Sequence, residues 1–106
     1  MPERIVVFGG EGNMGKVVVA RAQAQGHETL VVDPRSETST DPEAAIAWAT
    51  VIYLSLFPKD LNEVINRFVT KMRPDQLVLE NSSVKSPVIP ALKSLDKKGV
   101  SVVSTH

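Results

Sequence analysis

Five apolar runs of strand length punctuate this sequence: IVVF at 5–8, TLVV at 29–32, VIYLSLF at 51–57, LVLE at 77–80 and VSVV at 100–103. Each is short, rich in β-branched residues and apolar at nearly every position. A strand with one wet face alternates apolar and polar residues. A run without alternation belongs in a sheet covered on both faces, which is the habit of parallel sheets.

The segments between these runs carry helical spacing. In DLNEVINRFVTKM, residues 60–72, the apolar positions Leu61, Val64, Ile65, Phe68, Val69 and Met72 form one stripe at three- and four-residue intervals. Asp60 and Glu63 fit a capping box at its start, and Pro74 stops it. Residues 13–25 predict a second helix, closed by Gly26 in a left-handed cap. DPEAAIAWA, 41–49, predicts a short third, with Asp41 as cap and Pro42 at its first position. A fourth runs from Pro87 or Pro90 to Lys97. Trp48 and Phe68 lie on faces that should pack on the sheet, and His27, in the QGHET turn, reads as surface.

The order is β-α-β-α-β-α-β-α-β, without repeats or low-complexity stretches, and PRSETSTDP, 34–42, reads as a polar surface loop. Alternation of this kind specifies an α/β fold. Right-handed crossovers narrow it to a doubly wound parallel sheet of about five strands with helices on both faces. At 106 residues, a single domain spanning 1–106 is the expectation.

Composition removes several classes of function. Twelve basic and twelve acidic residues cancel, so no net field draws the protein to nucleic acid or an anionic membrane. The absence of cysteine excludes disulfides, thiolate metal sites and a thiol nucleophile. No segment approaches the ~20 apolar residues of a membrane span. MPERIVVFGG has no apolar run leading to a cleavage site, so a soluble, cytoplasmic protein without a signal peptide is expected.

Directly after the first apolar run comes GGEGNMGK, containing Gly10-x-Gly12-x-x-Gly15. That spacing is weak evidence alone, but here it follows a strand and opens a helix. Gly10 is expected to permit the tight turn, Gly12 to let a pyrophosphate approach the backbone, and Gly15 to let helix and strand pack closely. Asn13 and Met14 complete the loop, where the helix N-terminus offers free amides and a positive dipole end to phosphates. Asp33 ends the second run 18 residues past Gly15, placed to accept hydrogen bonds from an adenosine ribose. A free 2′-hydroxyl suits such a carboxylate and a 2′-phosphate does not, which favours NAD over NADP. Arg35, two residues on, offers a guanidinium that could hold a 2′-phosphate, so NADP stays open. The plainer alternative is that the glycines only shape a turn and Asp33 caps a loop.

The third run ends in SLFPKD, and strand ends line the ligand crevice of a Rossmann-type sheet. Ser55, Leu56 and Phe57 are therefore candidate cofactor contacts; packing and helix entry are the alternative for Phe57 and Pro58. The fourth run leads into LENSSVKSP, where Asn81, Ser82, Ser83 and Lys85 crowd the mouth of the sheet. Turn and cap duty alone would account for such residues.

GGEGNMG after the first strand, SSVKSP after the fourth and a histidine ending the fifth together resemble prephenate dehydrogenase and its relative arogenate dehydrogenase. The resemblance covers almost the whole chain but only that family's first domain, and the Ser-Val-Lys turn with its later histidine is its most specific part. It implies an NAD(P)-binding domain, inactive alone, of an oxidoreductase of tyrosine biosynthesis. In that family a second, helical domain dimerises the protein and carries the arginines that bind the carboxylates of prephenate or arogenate. Hydride passes from the substrate ring to the nicotinamide as carbon dioxide leaves. By position, His106 would take the proton from the ring hydroxyl and Ser83 would orient it. Imidazole, with a pKa of about 6.5, suits a base at neutral pH. Ser104 and Thr105 are more polar than the family's glycine-rich approach to its histidine.

Two other readings share part of the pattern. GNMG also occurs in pyrroline-carboxylate reductases and β-hydroxyacid dehydrogenases, which lack the Ser-Val-Lys turn followed by this histidine. A non-catalytic nucleotide-sensing domain would need only the glycine loop.

Overall fold

The first apolar run becomes β1 (Arg4–Phe8), and the glycine loop leads from it into α1 (Asn13–Ala24). There follow β2 (Glu28–Val32), α2 (Pro42–Trp48), β3 (Val51–Leu54), α3 (Pro58–Phe68), β4 (Leu77–Glu80), α4 (Ile89–Lys98) and β5 (Ser101–Ser104). This computed structural model describes residues 2–34, 37, 39–81 and 89–104. The order of elements is the one the apolar periodicity predicts. No helix among the described residues is long and apolar enough to cross a membrane.

All strands are parallel, in the order β2-β1-β3-β4-β5. The chain runs from β1 outward to β2, then crosses back over β1 to β3 and continues in that direction. Because crossovers are right-handed, reversing the direction of travel moves the helices to the opposite face. Accordingly α1 packs on β1 and β2 from one side. Residues of α2, α3 and α4 (Ile46, Leu61, Ile65, Phe68, Leu95) share one core with Val6, Phe8, Ile52, Leu54 and Val78 of the strands. Phe8 and Phe68 meet there with ring centroids 6.3 Å apart.

Two helices end by the same device. After α1, Gly26 (φ +85°) donates to Gln23 O and His27 N–H donates to Ala22 O, both at 3.0 Å. After α4, Gly99 (φ +85°) donates to Asp96 O at 3.0 Å and Val100 N–H to Leu95 O at 3.1 Å. This paired closure satisfies the last carbonyls and turns the chain straight into β2 and β5. His27 is half-buried at the surface there, and its Nδ1 accepts Glu3 N–H at 2.9 Å.

Helix α3 departs from the expected start. It begins at Pro58, with Phe57 as an extended N-cap residue that makes no side-chain cap. Proline confines the residue before it to extended backbone and is preorganised for the first helical position. That sets the start ahead of Asp60, which lies in the first turn and complements the dipole instead of capping. The last expected turn tightens into a 3-10 segment, Val69–Lys71. The third strand likewise stops at Leu54, leaving Ser55–Phe57 as a connecting loop. Helix α4 begins at Ile89, so Pro90 falls in the first turn, where no intrahelical donor is required.

Candidate functional site

The reversal of chain direction parts the connections that leave β1 and β3, and a crevice opens beyond their carboxyl ends. Open α/β sheets bind ligands at this kind of switch point. Here the crevice has a volume of about 950 Å³, near the upper end of ordinary ligand pockets.

One wall is the glycine loop. Sequence spacing assigns the tight turn to Gly10, but the residue with positive φ is Gly9, at +83°. A side chain at Gly9 would also run into the carbonyl oxygen of Ser55 on the neighbouring connection. Gly10 is needed for a different reason: a Cβ there would lie 2.7 Å from Val31 Cγ1. A Cβ on Gly15 would press on the Gly9 carbonyl oxygen and come within 2.8 Å of Gly10 Cα. Gly10 and Gly15 are thus buried supports behind the wall, whereas Gly9, Glu11, Gly12, Asn13 and Met14 face the crevice.

Gly12 is the extended N-cap of α1, with no side-chain cap and no acidic residue in the first turn. The first amides of this helix therefore point into the crevice with the positive end of the dipole behind them. That arrangement suits an anion.

The second wall comes from β2 and the segment after it: Val32, Asp33, Pro34 and Pro42. Asp33 is almost fully buried, at 1% exposure. Its Oδ2 accepts the Glu11 backbone N–H at 3.0 Å, and its own N–H donates to Ser39 Oγ at 3.0 Å.

The third wall comes from β3, α3 and the end of β4. Ser55, Leu56 and Phe57 line it as expected, with Phe57 strongly exposed at the lip. Asn81 Nδ2 reaches Ser55 Oγ at 3.4 Å, tying the ends of β3 and β4 together. Sequence reasoning did not anticipate Asp60, Glu63, Val64 and Arg67 of α3, which also line the crevice. Their three- and four-residue spacing marks one helical face beside the apolar stripe, and this was the available signal. The Arg67 guanidinium sits 5.3 Å from the Phe68 ring centroid.

Arg35, Ser82, Ser83, Lys85, Thr105 and His106 lie outside the described residues. The structure therefore brings together the loop, Asp33 and the Ser55–Phe57 connection.

No family model matches the sequence, and no curated protein sequence matches it. Solved structures share the fold. One is a semialdehyde dehydrogenase NAD-binding protein from Cupriavidus necator in complex with calcium and NAD. Its TM-score is 0.67 at 20% identity, over 76% of this chain and 33% of that one. Another is a protein assigned as a prephenate dehydrogenase from Corynebacterium glutamicum, with TM-score 0.77 at 17% identity, over 98% of this chain and 36% of that one. A third is a reductive aminase from Aspergillus terreus in complex with NADPH and ethyl-5-oxohexanoate, with TM-score 0.71 at 17% identity, over 98% of this chain and 40% of that one. This chain spans between 33% and 40% of the length of these three. The structural likeness, at identities this low, shows the fold alone, a Rossmann-type sheet.

Proposed function

We propose that the crevice binds NAD(P), with NAD favoured, and that the chain forms the cofactor half of an oxidoreductase of the prephenate or arogenate dehydrogenase type. The observation that carries the cofactor reading is the uncapped N-terminus of α1 beneath Gly9–Gly12, opening at the switch point of the sheet. The fit extends to the support glycines. Side chains at Gly9, Gly10 or Gly15 would collide with the loop or its neighbours, so the loop is shaped for backbone amides. Two acidic residues, Glu11 and Asp33, border the crevice between the loop and β2. Negative charge there opposes a 2′-phosphate, which supports NAD over NADP.

Bound in this crevice, the dinucleotide would supply a hydride acceptor. The chain's own contribution is to hold the pyrophosphate on the amides of Gly12–Met14 and to seat the cofactor against Ser55–Phe57. The further assignment to prephenate or arogenate rests on the resemblance of SSVKSP and the later histidine. In it His106 takes the ring-hydroxyl proton and Ser83 orients that exchange, with the substrate carboxylates held by a second domain. A reductase of the pyrroline-carboxylate or β-hydroxyacid type is supported by GNMG and by the same fold.

Calorimetric titration of the chain with NAD and NADP tests the cofactor reading. Binding of both with NAD tighter is expected; binding of neither removes it. Turnover of prephenate or arogenate with NAD by the intact protein containing this chain tests the substrate class. Loss of turnover in His106→Asn is expected, and undiminished turnover in that variant rules the histidine out as the base.

A further inference from the structure

We propose that Met14 is a reversible oxidation site through which a peroxide turns cofactor binding down. Conversion of its thioether to the sulfoxide weakens the hold of the glycine loop on the dinucleotide, and bound dinucleotide shields the sulfur. The inference rests on the reading of the crevice as a dinucleotide site and adds a form of regulation to it.

Sulfur chemistry in this chain belongs to methionine, because there is no cysteine to intercept an oxidant. Two of the three methionines lie among the described residues, and their surroundings are opposite. Met72 is sealed at 0% exposure in the core that α2, α3 and α4 share with the sheet. Met14 is 55% exposed. A flexible apolar side chain of this kind ordinarily fills a gap in a core. Here it is left at the crevice, which it lines together with the exposed Phe57. A peroxide in solution therefore meets Met14 and not Met72.

The position of Met14 turns that exposure into a control. It is the second residue of α1, after Asn13 and the N-cap Gly12. Side chains in a helix lean toward its N-terminus, so this one leans toward the end whose free amides face the crevice. A thioether is a weak acceptor and hardly competes for those amides. A sulfoxide is polar, and its oxygen accepts hydrogen bonds and carries partial negative charge. Placed there, that oxygen competes with the pyrophosphate for the same donors and for the positive end of the dipole.

In the reaction the sulfur lone pair attacks one oxygen of hydrogen peroxide, and the O–O bond breaks as the S–O bond forms. Sulfur loses two electrons, and the departing hydroxide takes the proton of the new S–OH group to become water. A dithiol-dependent reductase reverses the change. The dithiol returns two electrons as it closes to a disulfide, and the oxygen leaves as water.

The test treats the chain with hydrogen peroxide, with and without saturating NAD, and maps the oxidised peptides by mass spectrometry. NAD titration and thermal unfolding are recorded before and after treatment. Met14 should be oxidised well ahead of Met72, NAD should slow that oxidation, and the oxidised protein should melt like the untreated one. Its NAD affinity should fall on the order of tenfold, the scale of one opposed hydrogen bond to a charged group. Met14→Leu keeps an apolar side chain without the sulfur, so peroxide should leave its NAD affinity at whatever value it started from. Undiminished affinity in protein oxidised at Met14 overturns the proposal, as does an equal peroxide-induced loss in Met14→Leu. Oxidation of Met14 that NAD does not slow places the sulfur outside the site and overturns it too. If the untreated chain binds neither NAD nor NADP, the cofactor reading itself falls and this control falls with it.

Discussion

At the scale of single residues, the glycine loop works by exclusion. Gly9 supplies the positive φ, and Gly10 and Gly15 vacate space that Val31 and the loop backbone occupy. Spacing alone identifies that glycines are needed but not which duty each performs, because φ depends on where the neighbouring strand lies. Gly15→Ala must move the Gly9 carbonyl or the α1 backbone, since its new methyl has no open side. An overpacked contact of this kind costs about 1–3 kcal/mol. Urea unfolding should register that loss, and NAD titration should show affinity reduced at least tenfold. An alanine variant with parental stability and affinity would mean the loop has slack that the geometry does not show.

Among the elements, α2 is the one least able to stand alone. At seven residues it is far too short to be helical on its own propensity. Its N-terminus is closed by Asp41 Oδ2, which accepts Ala44 N–H at 3.0 Å. Its last carbonyls are taken by side chains from elsewhere. Gln76 Nε2 donates to Ile46 O at 2.6 Å and to Ala49 O at 2.9 Å, Arg73 donates to Ala47 O at 3.1 Å, and Arg4 Nε donates to Trp48 O at 2.7 Å. Gln76 is buried, and its Oε1 also accepts Arg73 N–H at 2.8 Å. Gln76→Ala therefore strands several buried groups and should cost about 3 kcal/mol. Asp41→Ala removes one exposed cap bond and should cost about 1 kcal/mol. Chemical denaturation that ranks the two equally would show that the Gln76 clamp is not what fastens α2. The cap was legible in the local sequence, whereas the clamp joins residues 27 and 30 positions apart and was not.

For the whole molecule, the decisive asymmetry is that α1 alone serves one face of the sheet among the described residues. On that face Tyr53, Leu79 and Val103 stand in register across β3, β4 and β5, beside Val51 and Leu77. Tyr53, Leu77 and Leu79 are only half-buried, and Val103 is 47% exposed. A contiguous apolar strip of this kind favours association. Sedimentation velocity should show concentration-dependent self-association, diminished by Val103→Lys. A strict monomer over a wide concentration range would contradict this. The sequence by itself determined the alternation of strands and helices, the glycine loop between β1 and α1, and the placing of Asp33 after β2. Those features depend on local periodicity, on turn chemistry and on caps, all written within a few residues. Only the tertiary structure decided that β2 and β3 flank β1, that α3 walls the crevice, that among the described residues α1 alone covers one sheet face, and that Asp33 is buried while Glu11 is half-buried. Each of these turns on which distant segments meet, and burial is a property of that meeting rather than of the residue.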